Sequence, residues 1–170
     1  RVLAEQERVL GPDHPDTLTT RHNLAVAYDS AGRFGEAIEL YERVLADRVR
    51  VLGPDHPDTL TTRNNLAVAY HSVGRFGEAI ELFERVLADR VRVLGPDHPD
   101  TLNARDNLAL AYDSAGHLAE AIDAWEELLP DCQRVLGLEH PLTKQVEKNL
   151  EAAKREMNPP DAPSPETGED

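Results

Sequence analysis

A block of 42 residues recurs three times in this chain and begins a fourth time. Gly11, Gly53, Gly95 and Gly137 mark the same position of each copy, and residues 11–52 and 53–94 are nearly identical. A fixed period of about 20–50 residues is typical of solenoids, in which each unit buries its apolar face against its neighbours. The repeat therefore predicts an elongated array that works through a long surface and not through a catalytic pocket.

Proline and glycine divide each repeat into two helices. In the first copy, His14 and Pro15 indicate a helix start, Gly32 indicates its end, and a second helix is expected from Phe34 to Leu52. Pro130 lies within the second helix of the third copy and is expected to kink or break it. The predicted organisation is all-α: the end of a preceding helix (1–10), three repeats (11–52, 53–94 and 95–136), a capping helix (137–156) and a disordered, acidic, proline-rich tail (157–170).

Composition excludes several classes of partner. The formal net charge is −14, so the chain lacks the positive face that nucleic acids and anionic membranes require. Cys132 is the only cysteine, which rules out an internal disulfide and a cysteine-based zinc site and is consistent with a cytoplasmic protein. We found no apolar run long enough to span a membrane and no signal peptide, and residue 1 lies inside a helical pattern. We therefore expect a cytoplasmic piece of a longer protein.

The motif L-A-x-x-Y-x-x-x-G-x-F-x-x-A-x-x-x-Y at residues 24–41 resembles the tetratricopeptide repeat. The 42-residue length, the linker LGPDHPDTL and the sequence NNLA at 64–67 are similar to the kinesin light chain subtype, and the resemblance covers residues 1–156. It implies a right-handed α-solenoid whose first helices line a concave, peptide-binding groove. Similar bacterial repeats occupy the C-terminal part of signalling ATPases of the NB-ARC/STAND type.

The polar face of the first helix supplies the candidate binding residues. The resemblance implies that its asparagines hydrogen-bond the backbone of an extended peptide, and an apolar strip among polar residues suggests a contact surface. Two alternatives stay open: the strip can pack against a neighbouring helix, and the asparagines can join adjacent repeats. Shifting this face by 42 residues gives four columns: His22, Asn64 and Asp106; Asn23, Asn65 and Asn107; Val26, Val68 and Leu110; and Asp29, His71 and Asp113.

Three other recurring residue types are assigned structural roles. His14 and its equivalents are expected at helix starts, because packed helices hold them too far apart for one metal ion. Arg21, Arg63 and Arg105 are expected to pair with acids such as Glu36 or Glu78, with an anion site as the alternative. Trp125 replaces Tyr41 and Phe83 of the other copies and is expected in the core.

We therefore predict a non-catalytic module without a cofactor that binds a protein or extended peptide, as part of a larger signalling protein. The alternative is self-association through an uncapped N-terminal face, to which Val2, Leu3, Val9 and Leu10 contribute.

Overall fold

The computed structural model describes residues 2–159, and this part of the chain is helical with no strand. We call α2, α4, α6 and α8 the first helices of the repeats and α1, α3, α5 and α7 the second helices. The eight helices are α1 (Val2–Val9), α2 (Pro15–Ser30), α3 (Phe34–Leu52), α4 (Pro57–Ser72), α5 (Phe76–Leu94), α6 (Pro99–Ser114), α7 (Leu118–Leu136) and α8 (Pro141–Met157).

The helix starts and stops follow from the repeated histidine, proline and glycine. Nδ1 of His14 accepts a hydrogen bond from the backbone N–H of Asp16 at 3.2 Å, and His56, His98 and His140 cap their helices in the same way. Each capping histidine precedes a proline at the first helical position, where no N–H is needed. At the other end Gly53 has a φ of 95°, a conformation that side chains with a Cβ rarely adopt. The predicted role of the histidines at helix starts is confirmed.

Successive helices pack against each other to form a solenoid of helical pairs. Two pairs of consecutive first helices are also in contact, α2 with α4 and α6 with α8. Within residues 2–159, no two consecutive second helices are in contact to a similar extent. At these two steps the first helices are therefore the more closely spaced layer, as the resemblance implies for helices that line a concave side. We call the side of α2, α4 and α6 that faces away from the second helices the groove face.

Small residues allow the helices to approach closely, and large ones fill the remaining space. One buried cluster joins the first two repeats around Tyr41 and Phe83, with alanines such as Ala25 and Ala67 at the helix contacts. A second cluster surrounds Trp125 near the C-terminal end. Trp125 is 1% exposed, which confirms its predicted place in the core.

The break expected in α7 is absent. Pro130 does not break α7, which runs from Leu118 to Leu136 with the same length as α3 and α5. Pro130 is exposed, so the carbonyl that loses its backbone partner can be solvated. Arg48, by contrast, is only 2% exposed although it lies on a helix with many solvated charges. The predicted tail begins at Met157, which is still the last residue of α8, and its residues 160–170 lie outside the described residues.

Candidate functional site

The groove face presents an alternation of amide and aliphatic side chains along three first helices. Asn23 and Val26 of α2 are exposed, and Val26 retains 36% of its surface. The corresponding residues of the next two repeats are partly buried: Asn65, Val68, Asn107 and Leu110. The structure thus brings two of the four predicted columns to one accessible surface.

Side chains on neighbouring first helices are hydrogen-bonded at a constant sequence separation. Asn107 Nδ2 donates to Asn64 Oδ1 at 3.3 Å, and Asn65 Nδ2 lies 3.5 Å from Nε2 of His22. In both pairs the partners are separated by 43 residues, which is one repeat plus one position. The asparagines therefore do join adjacent repeats, and this fixes the register of the first helices. Each primary amide still has a second N–H or lone pair for a ligand.

His22 does not lie on the open face, contrary to the prediction from the helical pattern. It is 8% exposed and lies between the first two repeats, with its ring centroid 5.6 Å from that of Tyr41. Its Nδ1 is 3.3 Å from Oγ1 of Thr62, which itself donates to the carbonyl of Asp58. The network therefore assigns a neutral imidazole with the proton on Nδ1.

The pKa of His22 agrees with this assignment. Burial, together with the nearby Arg48 guanidinium, lowers the pKa of His22 to about 4. Arg48 donates to Oγ1 of Thr62 at 2.6 Å and to the carbonyl of Asp58 at 2.9 Å. A buried polar network therefore occupies the junction between the first two repeats.

Asp106 is likewise buried and not part of the accessible groove. It is 6% exposed, and its Oδ1 accepts a hydrogen bond from Nε1 of Trp125 at 2.8 Å. Burial raises the pKa of the Asp106 carboxyl. The helical pattern placed Asp106 in the groove because it cannot show that the next repeat covers this position. Trp125 is both a core residue and a hydrogen-bond donor, and the second role was missed.

A small open pocket lies between α4 and α6 on the groove face. It has a volume of about 60 Å³ and is lined by Val68, His71, Phe83, Asn107 and Leu110. Phe83 comes from the second helix α5 and forms part of the apolar lining, whereas the other four residues were predicted from the columns. The pocket therefore combines aliphatic walls with an amide and an imidazole at its edge. Such a pocket suits one small apolar side chain next to a polar backbone.

The fourth column lies in the last turns of α2, α4 and α6, and its middle member, His71, lines this pocket. Nε2 of His71 lies 2.8 Å from Oγ of Ser114 on the next first helix. Asp29 and Asp113 are partly buried and lie in the last turns of α2 and α6. Burial raises the pKa of Asp29, and its Oδ1 is buried without a hydrogen-bond partner within the described residues. Asp29 therefore lacks the internal partners that Asp106 has.

The arginine column is neutralised within the protein, but by other acids than expected. Arg21 pairs with Asp47 at 3.1 Å and with Glu7 at 2.7 Å, and Arg105 pairs with Asp131 at 2.7 Å. Arg63 pairs in the same way with Asp89. The expected acids pair elsewhere: Glu36 with Arg33 and Glu78 with Arg75. The ion pairs leave no reason to assign an anion site to this column.

A larger opening lies at the N-terminal end, between α1 and α3. It has a volume of about 490 Å³ and is lined by residues of α1, α2 and α3, including Leu3, Arg21, Leu40 and Asp47. Val9 of α1 is also exposed. This end of the solenoid therefore presents a mixed apolar and charged surface that no helix among residues 2–159 covers.

No three side chains of histidine, cysteine, aspartate or glutamate within residues 2–159 come close enough together to hold a metal ion. None of the eight helices described above is both long enough and apolar enough to cross a bilayer.

Two solved structures that resemble this chain are of repeats from Podosopora anserina. A point variant of the nearly identical TPR-like repeats from a protein described as a kinesin light chain of Podosopora anserina is 35% identical, with a TM-score of 0.80, over 91% of this chain and 73% of that one. The second structure of those repeats is 30% identical, with a TM-score of 0.74, over 93% of this chain and 84% of that one. BtubC (BKLC) from P. vanneervenii shares the fold at 20% identity and a TM-score of 0.67, over 92% of this chain and 70% of that one.

A family model also identifies tetratricopeptide repeats in this chain. A search of curated proteins returned no match. The tetratricopeptide repeat model matches residues 17–58, 59–100 and 101–142, three units with the 42-residue period that the sequence shows. These matches cover most of the chain, and the chain belongs to the tetratricopeptide repeat family.

Proposed function

We propose that this repeat scaffold binds an extended segment of a protein partner along its groove face. The observation that carries the proposal is the pocket formed by Val68, His71, Phe83, Asn107 and Leu110. It lies between two first helices, and four of its five residues belong to columns that recur in every repeat. Because these columns recur along the groove face, a ligand that runs across the repeats would meet equivalent side chains in each repeat.

Binding would depend on side-chain amides that are already held in place by hydrogen bonds within the protein. The hydrogen bonds between Asn64 and Asn107 and between His22 and Asn65 hold the amides in register before a ligand arrives. The remaining amide donors and acceptors can pair with the backbone of an extended segment without selecting its sequence. Because these side chains are already ordered, most of the entropic cost of binding falls on the ligand.

The test compares two variants with three alanine substitutions each. The groove variant carries Val26→Ala, Val68→Ala and Leu110→Ala. The control variant carries Val49→Ala, Val91→Ala and Val93→Ala, which remove aliphatic groups from exposed positions on second helices. Peptides selected on the wild-type chain from a random displayed library serve as probes, and affinity is measured by fluorescence anisotropy.

The groove variant is expected to bind the selected peptides at least about tenfold more weakly, because the truncated side chains no longer fill the contact. The control variant is expected to bind like the wild type. Circular dichroism of both variants checks that the helices are retained. Unchanged binding by the folded groove variant would contradict the proposal.

A second candidate function is self-association through the N-terminal face. The exposed Val2 and Val9 and the opening between α1 and α3 favour it. We expect Val2→Ser with Val9→Ser to lower the apparent mass in light scattering over a concentration series. A wild-type chain that stays monomeric at every concentration would rule this candidate out. A larger signalling protein and a cytoplasmic location stay predictions.

A further inference from the structure

Asp29 and Asp113 occupy unfavourable positions on the groove face. Each lies in the last turn of a first helix, and neither turn contains a basic residue. The C-terminal end of a helix carries a partial negative charge, which repels a carboxylate. The same column continues with His71 in the middle repeat, so the two carboxylates flank an imidazole.

The protein does not neutralise these two carboxylates itself. Neither forms an ion pair with any residue in the described range 2–159. Arg33, the nearest arginine in sequence to Asp29, stacks on the ring of Tyr28 at 4.5 Å and pairs with Glu36. Oδ1 of Asp29 has no hydrogen-bond partner in this range. Several other aspartates are paired with arginines, as in Asp47 with Arg21.

The rest of the groove face also lacks positive charge. The groove columns on α2, α4 and α6 contain no lysine and no arginine. An acidic ligand would therefore meet carboxylates with no compensating cation, whereas a basic ligand would be attracted by them and by the net charge of −14. Beyond the third repeat the sign changes, since Lys148 and Arg155 stand at the corresponding positions of α8.

We infer that the groove partner is an extended segment with two basic side chains, which pair with Asp29 and Asp113, and a small aliphatic side chain between them. The inference rests on the proposed function. The aliphatic side chain would occupy the pocket between Val68 and Leu110. Packed helices lie about 8–10 Å apart, so the two carboxylates, two repeats apart, are separated by roughly 16–20 Å. An extended chain covers this distance in about five or six residues.

The experiment uses peptides of about twelve residues, long enough to reach across all three repeats. A random displayed library is selected on the wild-type chain, and the enriched peptides are synthesised with a fluorophore. Their affinities are measured for Asp29→Asn with Asp113→Asn and for a control, Glu81→Gln with Asp123→Asn. The control removes the same number of charges from exposed positions on second helices.

Enriched peptides are expected to carry two lysines or arginines about five or six positions apart. The Asp29→Asn, Asp113→Asn variant should bind them about tenfold more weakly, and the control variant less than about twofold. Added salt should weaken binding by the wild type more than by this variant, because exposed charges are screened.

The outcomes separate this inference from the proposed function. Peptides without basic residues, or peptides that the Asp29→Asn, Asp113→Asn variant binds like the wild type, would overturn the inference. If such peptides still lose affinity in the triple-alanine groove variant, the proposed function stands. If no enriched peptide depends on the groove, the proposed function fails and this inference fails with it.

Discussion

Asp106 and Asp113 lie two turns apart on α6 but differ in burial and in their hydrogen-bond partners. Asp106 is buried in the junction between the third repeat and α8, where Trp125 donates a hydrogen bond to it. Asp113 lies on the groove face and has no ion-pair partner within residues 2–159. The junctions between repeats satisfy their polar groups internally, and the groove face leaves some of its own without a partner. The first property serves the fold, and the second suits a binding surface.

The same contrast separates neighbouring columns. His22 hydrogen-bonds with Thr62 inside a junction, whereas the next residue, Asn23, is exposed. A step of one residue along a first helix therefore leads from the junction to the groove face. Substitutions in a junction should mainly change stability, and substitutions on the groove face should mainly change binding.

The largest effect is expected for Trp125→Ala. It removes a side chain that is almost fully buried and leaves Asp106 without its donor, so we expect a loss of about 3–5 kcal/mol in the free energy of unfolding. Val26→Ala on the groove face should change the free energy of unfolding by less than about 0.5 kcal/mol. Urea denaturation followed by circular dichroism measures both. Similar losses for the two variants would contradict the distinction between junction and groove face.

The next effect is a dependence of stability on pH that arises from His22. Its pKa in the folded protein, about 4, lies below its ordinary value of 6.5, so the unfolded chain binds more protons between these values. The contribution of His22 to stability is therefore complete above pH 6.5 and is lost as the pH falls toward 4. Thermal unfolding at a series of pH values measures it.

His22→Asn supplies the control, because the next repeat carries Asn64 at the same position. This variant should lose less stability over the same pH range than the wild type. Identical pH profiles for the two proteins would show that His22 is not held neutral in the junction.

The smallest effect is an increase in the stability of the protein when carboxylates are removed from the groove face. Asp29→Asn and Asp113→Asn each remove a carboxylate from the negative end of a helix, which should add about 0.3–1 kcal/mol to the free energy of unfolding. Differential scanning calorimetry measures the change, with Glu81→Gln and Asp123→Asn as the reference. A loss of stability on removing Asp29 or Asp113 would show that the carboxylate has an internal partner and belongs to the structure.

The sequence predicted the helices well because their ends depend on local chemistry. A capping histidine, a proline at the first turn and a glycine at the end act within a few residues, and α3 begins and ends where expected. Burial was harder to predict, since it depends on residues one repeat away. His22, Arg48 and Asp106 look solvated on an isolated helix and are covered only when repeats stack.

The candidate site was predicted in part for the same reason. The columns of Asn65, Val68, Asn107 and Leu110 reach one surface because residues 42 positions apart occupy equivalent places. The part that Phe83 contributes to the pocket was missed, because it comes from a second helix. The partner acids of Arg21 and Arg105 were also missed, since Asp47 and Asp131 lie on the paired helix 26 residues away.

Nuclear magnetic resonance of the ¹⁵N-labelled chain, titrated with one selected peptide, tests the central claim most directly. We expect the largest shifts in backbone amides of α2, α4 and α6 and in the side-chain amides of Asn23, Asn65 and Asn107. Shifts confined to the exposed sides of α3 and α5, with the asparagine amides unchanged, would contradict a groove that binds an extended segment.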